Sequence, residues 1–128
     1  MIRPIVPKSM PSPESPFNWV VVDDRYAYLS GIVAADVPEG REVLGDVEKE
    51  TRVVLNTIGN ILKEIGADIS SIVRVDIHLS NFDDFDSMDY AYSLFFKESH
   101  YPARTTTESP RLYGDSKVEI TCIARLPD

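Results

Sequence analysis

The chain has 128 residues, which suits one domain with a core of its own, since a domain near this size buries roughly two-thirds of the surface that its unfolded chain exposes. A hydrophobic share of 43% and a charged share of 27% are typical of a globular protein and exclude extended disorder. The formal net charge of -8 would repel a phosphate backbone, so nucleic acid is not an expected partner.

Residues 1–16 contain five prolines, each of which removes a backbone donor and biases the residue before it toward extended conformations. They predict an extended arm, which belongs to a single domain spanning residues 1–128. The start of the chain lacks the apolar run of a secretory signal, and no segment is apolar enough to span a membrane. The lone Cys122 excludes an intrachain disulfide and suits a buried small side chain in a reducing compartment, so we expect a cytoplasmic protein.

From Trp19 the sequence becomes rich in β-branched and aromatic residues, and residues 19–22 and 26–30, separated by a polar turn, predict a β-hairpin. Residues 36–45 contain proline and glycine and predict a loop. Asp46 is placed to cap a long helix whose apolar residues recur every three or four positions. Gly66 is placed to end that helix in a left-handed conformation.

Residues 72–79 alternate apolar with polar side chains, as a strand covered on one face would. A second helix is predicted to start at residues 81–84 and to carry apolar residues at helical spacing as far as residue 96. Residues 105–107 and 117–123 predict two more strands. Two helices on one face of a mixed sheet make a two-layer α+β domain, and the uncovered opposite face predicts oligomerisation.

The sequence has no Walker loop, no paired cysteines and no nucleophile elbow. His78 and His100 are far apart and lie in different predicted elements, so we expect surface histidines and no metal site. No cofactor is indicated either.

Arg104 enters a β-branched strand directly after a proline turn, so the backbone fixes its position. A guanidinium held there is suited to grip a carboxylate through paired hydrogen bonds, which a lysine would not reproduce. Glu119 lies in the last predicted strand, on the face opposite Val118 and Ile120, where a carboxylate in a cleft would orient a water and move protons. From spacing alone, a structural ion pair for Arg104 and a solvated strand face for Glu119 are the favoured interpretations.

Three motifs change that balance. The chain resembles the RidA/YjgF family of small trimeric imine deaminases in Pro102-Ala103-Arg104, in Arg111-Leu112 and in Val118-Glu119-Ile120. The upstream pattern fits as well, and the resemblance covers nearly all the chain from residue 16 to residue 124. The matching upstream positions are Ser30-Gly31, Gly66, Asn81-Phe82-Asp83-Asp84-Phe85, Tyr92 and Phe95-Phe96.

The resemblance implies a chorismate-mutase-like fold, a homotrimer and a cleft at each subunit interface. It implies that Arg104 binds the substrate carboxylate, that Glu119 positions the attacking water, and that Phe17, Ser30 and Gly31 line the same pocket. It also implies that no metal or organic cofactor takes part, because an iminium carbon is already electrophilic and needs only an oriented water and a proton shuttle.

Three positions depart from the deaminase pattern. Thr106 stands where the family commonly has cysteine, Phe17 where it has tyrosine, and Asp89 where it has asparagine. The leading hypothesis is therefore hydrolysis of 2-imino or 2-enamino acids to 2-oxo acids and ammonia, with the substrate side chain left open.

Three alternatives accompany this hypothesis. An enamine of the 2-aminomuconate type would need a second anion-binding group, for which Arg111 is the candidate. A non-catalytic member that binds small carboxylates, regulates a partner or protects other proteins is an alternative from a different class. Ribonuclease activity, which has been associated with the family, is the least favoured because of the acidic charge.

Overall fold

The computed structural model describes residues 1–128 and contains a single six-stranded sheet. The strands are β1 Ile2–Ile5, β2 Val20–Asp23, β3 Tyr26–Val33, β4 Ile72–Leu79, β5 Ala103–Glu108 and β6 Val118–Arg125. Their order across the sheet is β1-β2-β3-β6-β4-β5. Strands β4 and β5 run parallel, and all other neighbours are antiparallel, so the sheet is mixed as predicted.

Three helices accompany the sheet: the single turn α1 Pro38–Arg41, the long α2 Val47–Glu64 and the shorter α3 Phe85–Ser93. Helices α2 and α3 pack against each other, and their apolar sides join one face of the sheet in a single core. The two-layer α+β architecture is therefore confirmed. None of the helices combines the length and the apolar character that a membrane crossing would need.

Alternation along the central strands builds this core. Ile77 of β4 and Ile120 of β6 are in register and fully buried, and Leu55 and Ile58 of α2 are fully buried in the same cluster. Each such side chain contributes roughly 1.5–3 kcal/mol when it is removed from water. Cys122 lies in the same layer, where burial raises the pKa of its thiol to about 12, so it serves as a small core side chain.

The ends of α2 follow the sequence signals. The Asp46 side chain accepts a hydrogen bond of 3.1 Å from the backbone N–H of Lys49, which satisfies one of the free donors of the first turn. Gly66, with φ of 84°, follows the last turn in the left-handed conformation that glycine adopts without a Cβ clash.

The N-terminal arm differs from the prediction in one respect, because its first residues form a strand. Strand β1 adds to the edge of the sheet beside β2, where Pro4 is tolerated. The rest of the arm folds back across the domain: Trp19 Nε1 donates a hydrogen bond of 2.8 Å to the Pro11 carbonyl. Glu64, at the end of α2, accepts hydrogen bonds from the backbone N–H groups of Lys8 and Ser9 at 2.6 and 3.2 Å.

Several boundaries also differ from the predicted ones. Strand β2 is shifted by one residue, β3 continues to Val33, and β5 spans Ala103–Glu108 rather than residues 105–107. Helix α3 ends at Ser93, although apolar residues at helical spacing continue to Phe96, which packs against the core outside the helix. The predicted loop 36–45 contains the α1 turn, which begins with proline at its first position. The last strand begins one residue later than predicted and continues to Arg125.

The sheet face opposite the helices carries polar pairs. Arg74 Nη2 contacts Asp76 Oδ1 at 2.9 Å and Thr105 Oγ1 at 2.7 Å, and His78 Nδ1 lies 2.7 Å from Thr107 Oγ1. The helices leave this face uncovered, as expected, and oligomerisation through it stays a prediction.

Candidate functional site

Arg104 points to the helix-covered side of the edge strand β5. It is in register with the buried Val75 of the parallel neighbour β4, and it packs on α3. Its guanidinium carbon lies 4.8 Å from the centroid of the Tyr92 ring and 5.6 Å from that of Phe85. The side chain is 23% exposed, so two aromatic rings and partial burial restrict the charged group.

Asp89 of α3 occupies one side of this guanidinium. Arg104 Nη1 lies 2.8 Å from Asp89 Oδ1, and the Asp89 side chain is 47% exposed. The structural ion pair that spacing alone favours is therefore present. It leaves further guanidinium N–H donors, because a guanidinium carries more donors than one carboxylate oxygen accepts.

The ion pair does not fill the space beside Arg104. A cavity of about 300 Å³, here called the Arg104 pocket, opens there. It is lined by Asp89, Tyr92, Ser93, Tyr101, Pro102 and Arg104.

Two buried hydroxyls accompany Arg104. Thr106 is in register with the buried Ile77, so its side chain shares the Arg104 face of β5. Neither Thr106 Oγ1 nor Tyr92 Oη has a hydrogen-bond partner within the chain. Burial raises the pKa of Tyr92 to about 12, with the Arg104 charge acting in the opposite direction, so the phenol stays a protonated donor at neutral pH.

Glu119 of β6 lies on the other face of the sheet. Its neighbours Val118 and Ile120 are fully buried against the helices, so the predicted face is confirmed. Its carboxylate lies over the backbone of Gly31 in β3, where a Cβ would stand 2.8 Å from Glu119 Cδ and Oε2. Gly31 therefore leaves the room that the Glu119 side chain occupies.

A cavity of about 410 Å³, here called the Glu119 pocket, opens beside this carboxylate. The arm closes one side of it, and Phe17 stands there with its ring 4.9 Å from that of Trp19 in an edge-to-face arrangement. Ser30, which was expected to line the same pocket, is not among its lining residues, and its hydroxyl donates a hydrogen bond of 2.6 Å to the Asn18 carbonyl. The lining residues are Pro11, Ser12, Pro13, Glu14, Ser15, Phe17, Trp19, Gly31, Val33, Ala35, Asp36, Arg41, Tyr113 and Glu119.

Asp36 and Arg41 also line the Glu119 pocket and are not among the candidates that the sequence supplies. Asp36 Oδ2 accepts a hydrogen bond of 2.9 Å from the Val33 N–H, and Arg41 Nη1 donates one of 3.0 Å to the Ala35 carbonyl. Partial burial, followed by the nearby Glu119 charge, raises the pKa of Asp36, although the Val33 hydrogen bond and the Arg41 charge oppose this. The only sequence signal was an acidic residue three positions after the strand that carries Gly31.

Arg104 and Glu119 do not converge within one chain. Arg104 lies on the helix side of the sheet and Glu119 on the other, and they line separate pockets. The candidates form two half-sites: Asp89 and Thr106 with Arg104, and Gly31 with Glu119, next to Phe17. Convergence across a subunit boundary stays a prediction.

Arg111 belongs to neither half-site, because it lines a different cavity together with Lys117. The structure thus gives no support to Arg111 as a second anion-binding group beside Arg104. No group of three or more His, Cys, Asp or Glu side chains is arranged to hold a metal ion.

The chain is similar to known proteins over almost its whole length. The family model described as Endoribonuclease L-PSP matches residues 7–126. The human 2-iminobutanoate/2-iminopropanoate deaminase is 32% identical over 122 residues, which are 95% of this chain and 88% of the human protein. A RutC family protein of Pyrococcus abyssi is 32% identical over 120 residues, 94% of either chain.

Solved structures agree in fold. YyfA of Yersinia pestis, described as a conserved Rid family protein of unknown function, superposes with a TM-score of 0.90 at 30% identity, covering 98% of this chain and 100% of that one. The yjgF gene product of E. coli gives a TM-score of 0.85 at 28% identity over 96% and 98% of the two chains.

Proposed function

Because the chain belongs to the Endoribonuclease L-PSP family, the family of RidA/YjgF proteins, we propose that it is an imine deaminase that hydrolyses 2-imino and 2-enamino acids to 2-oxo acids and ammonia. Relatives with deaminase names align over nearly the whole chain at 32% identity. The observation that carries the proposal is the restrained Arg104 guanidinium beside an open cavity of about 300 Å³.

In this proposal Arg104 binds the carboxylate of the substrate. Tyr92 and Phe85 limit the movement of its guanidinium, and Asp89 occupies only one side of it. The remaining N–H donors suit paired hydrogen bonds to a planar carboxylate. The hydroxyls of Tyr92 and Thr106 are free of partners in the chain and would serve as further donors.

Glu119 would act on the water. Its carboxylate is held over Gly31 at the side of a sheltered cavity, where it accepts a proton from a water that adds to the iminium carbon. Since that carbon is already electrophilic, orientation of the water provides most of what the reaction requires. Ammonia leaves after the amine nitrogen is protonated.

A complete site requires two chains, because the two half-sites lie on opposite faces of one sheet. A homotrimer with its sites between subunits meets this requirement, and the helix-free face is available for the contact. The Arg104 pocket of one subunit would then adjoin the Glu119 pocket of another.

The test measures ammonia from imines that an amino-acid oxidase generates in situ, with spontaneous hydrolysis subtracted. Wild-type protein is expected to accelerate release, whereas Arg104→Ala and Glu119→Gln are expected to fall to near the spontaneous rate. Arg52→Ala is the matched control, because Arg52 is also paired with a carboxylate, Glu48 at 3.4 Å, but on the outer surface of α2. No acceleration by wild-type protein over Arg104→Ala across several amino acids would refute the proposal.

One observation favours a second candidate, a non-catalytic protein that binds small carboxylates. Asp89 already contacts Arg104 at 2.8 Å, and its charge would weaken the field that attracts a substrate anion. Binding of 2-oxo acids without turnover of any imine would support this candidate, and turnover would eliminate it. Ribonuclease activity, to which the family description refers, is disfavoured by the net charge of -8.

A further inference from the structure

Two carboxyl groups besides Glu119 line the Glu119 pocket, and the proposed reaction has not yet used either. Glu14 of the arm is exposed, whereas Asp36 is half-buried. Asp36 and Glu119 both line this cavity of about 410 Å³. They come from different parts of the fold, Asp36 from the turn after β3 and Glu119 from β6. A pair of carboxyl groups in different surroundings is the usual means of dividing acid and base roles.

Strand register explains why the two groups stay together. Val33 is the direct partner of Glu119 across the β3–β6 pair, and the Val33 N–H is the donor that holds Asp36 Oδ2 at 2.9 Å. Asp36 is therefore hydrogen-bonded to the residue that pairs directly with Glu119 in the sheet. Its other oxygen, Oδ1, has no hydrogen-bond partner in the chain.

The surroundings of Asp36 favour its neutral form. Asp36 is half-buried, and both burial and the Glu119 charge favour its neutral form. Arg41 is the cation in the pocket, and its guanidinium also donates a hydrogen bond to the Ala35 carbonyl. The other ionisable groups nearby are Glu14 from the arm, Tyr113 from the turn before β6, and His78, which is in register with Glu119 on β4.

From this geometry we infer that Asp36 is a catalytic residue, the proton donor to the departing amine, while Glu119 is the base that activates water. The inference rests on the proposed function. Water adds to the iminium carbon and gives a proton to Glu119, which forms a neutral carbinolamine. The Asp36 carboxyl then protonates its nitrogen. The C–N bond breaks with its electron pair going to nitrogen, the hydroxyl proton returns to Asp36, and Glu119 gives its proton to ammonia, so ammonium leaves and both groups are restored.

Asp36→Asn is the main test, because asparagine keeps an oxygen to accept from the Val33 N–H but has no acidic proton. We expect kcat for ammonia release to fall by roughly a hundredfold, in the range of general acid catalysis. Asp36→Glu should recover part of the loss. Glu39→Gln is the matched control, since it removes the same charge from an exposed position of α1 and should keep wild-type kcat.

The pH profile separates a proton donor from a structural residue. If Asp36 acts as an acid, kcat falls as pH rises through its pKa, and Asp36→Asn lacks this alkaline limb. Arg41→Gln removes a charge that lowers the pKa of Asp36, so the fall of kcat at alkaline pH should occur at higher pH in this variant than in the wild-type protein. A limb that persists in Asp36→Asn but disappears in His78→Gln would assign it to the histidine and overturn the inference.

The failure of this inference differs from the failure of the proposed function. If wild-type protein turns over imines and Asp36→Asn matches it in kcat and pH profile, Asp36 is not the donor and the deaminase proposal stands. If wild-type protein shows no turnover above Arg104→Ala, both are overturned.

Discussion

Replacing Asp89 with asparagine tests whether the ion pair at Arg104 limits carboxylate binding. Asparagine has nearly the same shape, and its amide oxygen can still accept from Arg104 Nη1, which lies 2.8 Å from the aspartate oxygen. The substitution removes one negative charge and leaves the guanidinium supported by the Tyr92 and Phe85 rings. We expect Asp89→Asn to bind 2-oxo acids more tightly than the wild-type protein.

The expected gain follows from the exposure of the pair. A ligand carboxylate bound to Arg104 would lie about 5 Å from the Asp89 charge, where repulsion in a largely aqueous environment is about 1 kcal/mol. The side chains of Arg104 and Asp89 are 23% and 47% exposed, so the much larger repulsion energies of a dry protein interior do not apply. A change of about 1 kcal/mol corresponds to roughly fivefold in Kd at low salt.

The assay is calorimetric titration with 2-oxobutanoate at low and high ionic strength. The gain in Asp89→Asn should shrink as salt rises, because the Debye length is about 10 Å at 0.1 M and about 3 Å at 1 M. Asp86→Asn is the control: it removes the same charge from an exposed position one turn earlier on α3 and should change Kd less. Unchanged or weaker binding in Asp89→Asn would refute the reasoning and indicate that the aspartate mainly orients the guanidinium.

Two further predictions concern Gly31 and the arm. Gly31→Ala should lower ammonia release as far as Glu119→Gln while changing Tm by little, because the new Cβ would meet a flexible carboxylate at 2.8 Å. Gly40→Ala should lower Tm strongly, because its Cβ would clash with the backbone carbonyl oxygen of Ala34. Hydrogen bonds, first that from the Ser9 hydroxyl, lower the pKa of Glu64 from its usual value of 4.5. The stabilisation of the arm by the Glu64 carboxylate is therefore fully present above pH 4.5 and is lost as pH falls through the lowered pKa. Amide exchange protection in residues 6–10 should fall over that acidic range, and Glu64→Gln should show low protection at every pH.

Sequence patterns predicted the elements whose signals are local. Strand β4 has the predicted bounds because side chains alternate along it, and α2 begins and ends where a cap and a glycine stand. Strand β1 was missed because its prolines argue against a strand, and only pairing with β2 accommodates Pro4 at the edge. The length of α3 was overestimated because Phe95 and Phe96 pack on the core without continuing the helix.

The site was predictable only in part, for a similar reason. Arg104 and Glu119 were found through short motifs, but the partner of Arg104 is set by the packing of α3 on β5, which brings Asp89 to the guanidinium. Asp36 was missed because its significance comes from burial and from its proximity to Glu119, and neither is encoded near residue 36. Spacing in the sequence identifies which chemical groups are present, whereas tertiary contacts determine their protonation states and their neighbouring side chains.

The separation of the half-sites follows from the period of a strand. Side chains alternate between faces, so Arg104 and Thr106, two residues apart on β5, share the helix side, while Glu119 lies between the buried Val118 and Ile120 and must face away from the helices. No rearrangement within a folded chain brings the two faces together without a register slip that would expose the core. If the proposed function is right, carboxylate binding at Arg104 would need one subunit and water activation of the same ligand would need a second. The two activities should then respond differently to dilution below the concentration at which the subunits assemble.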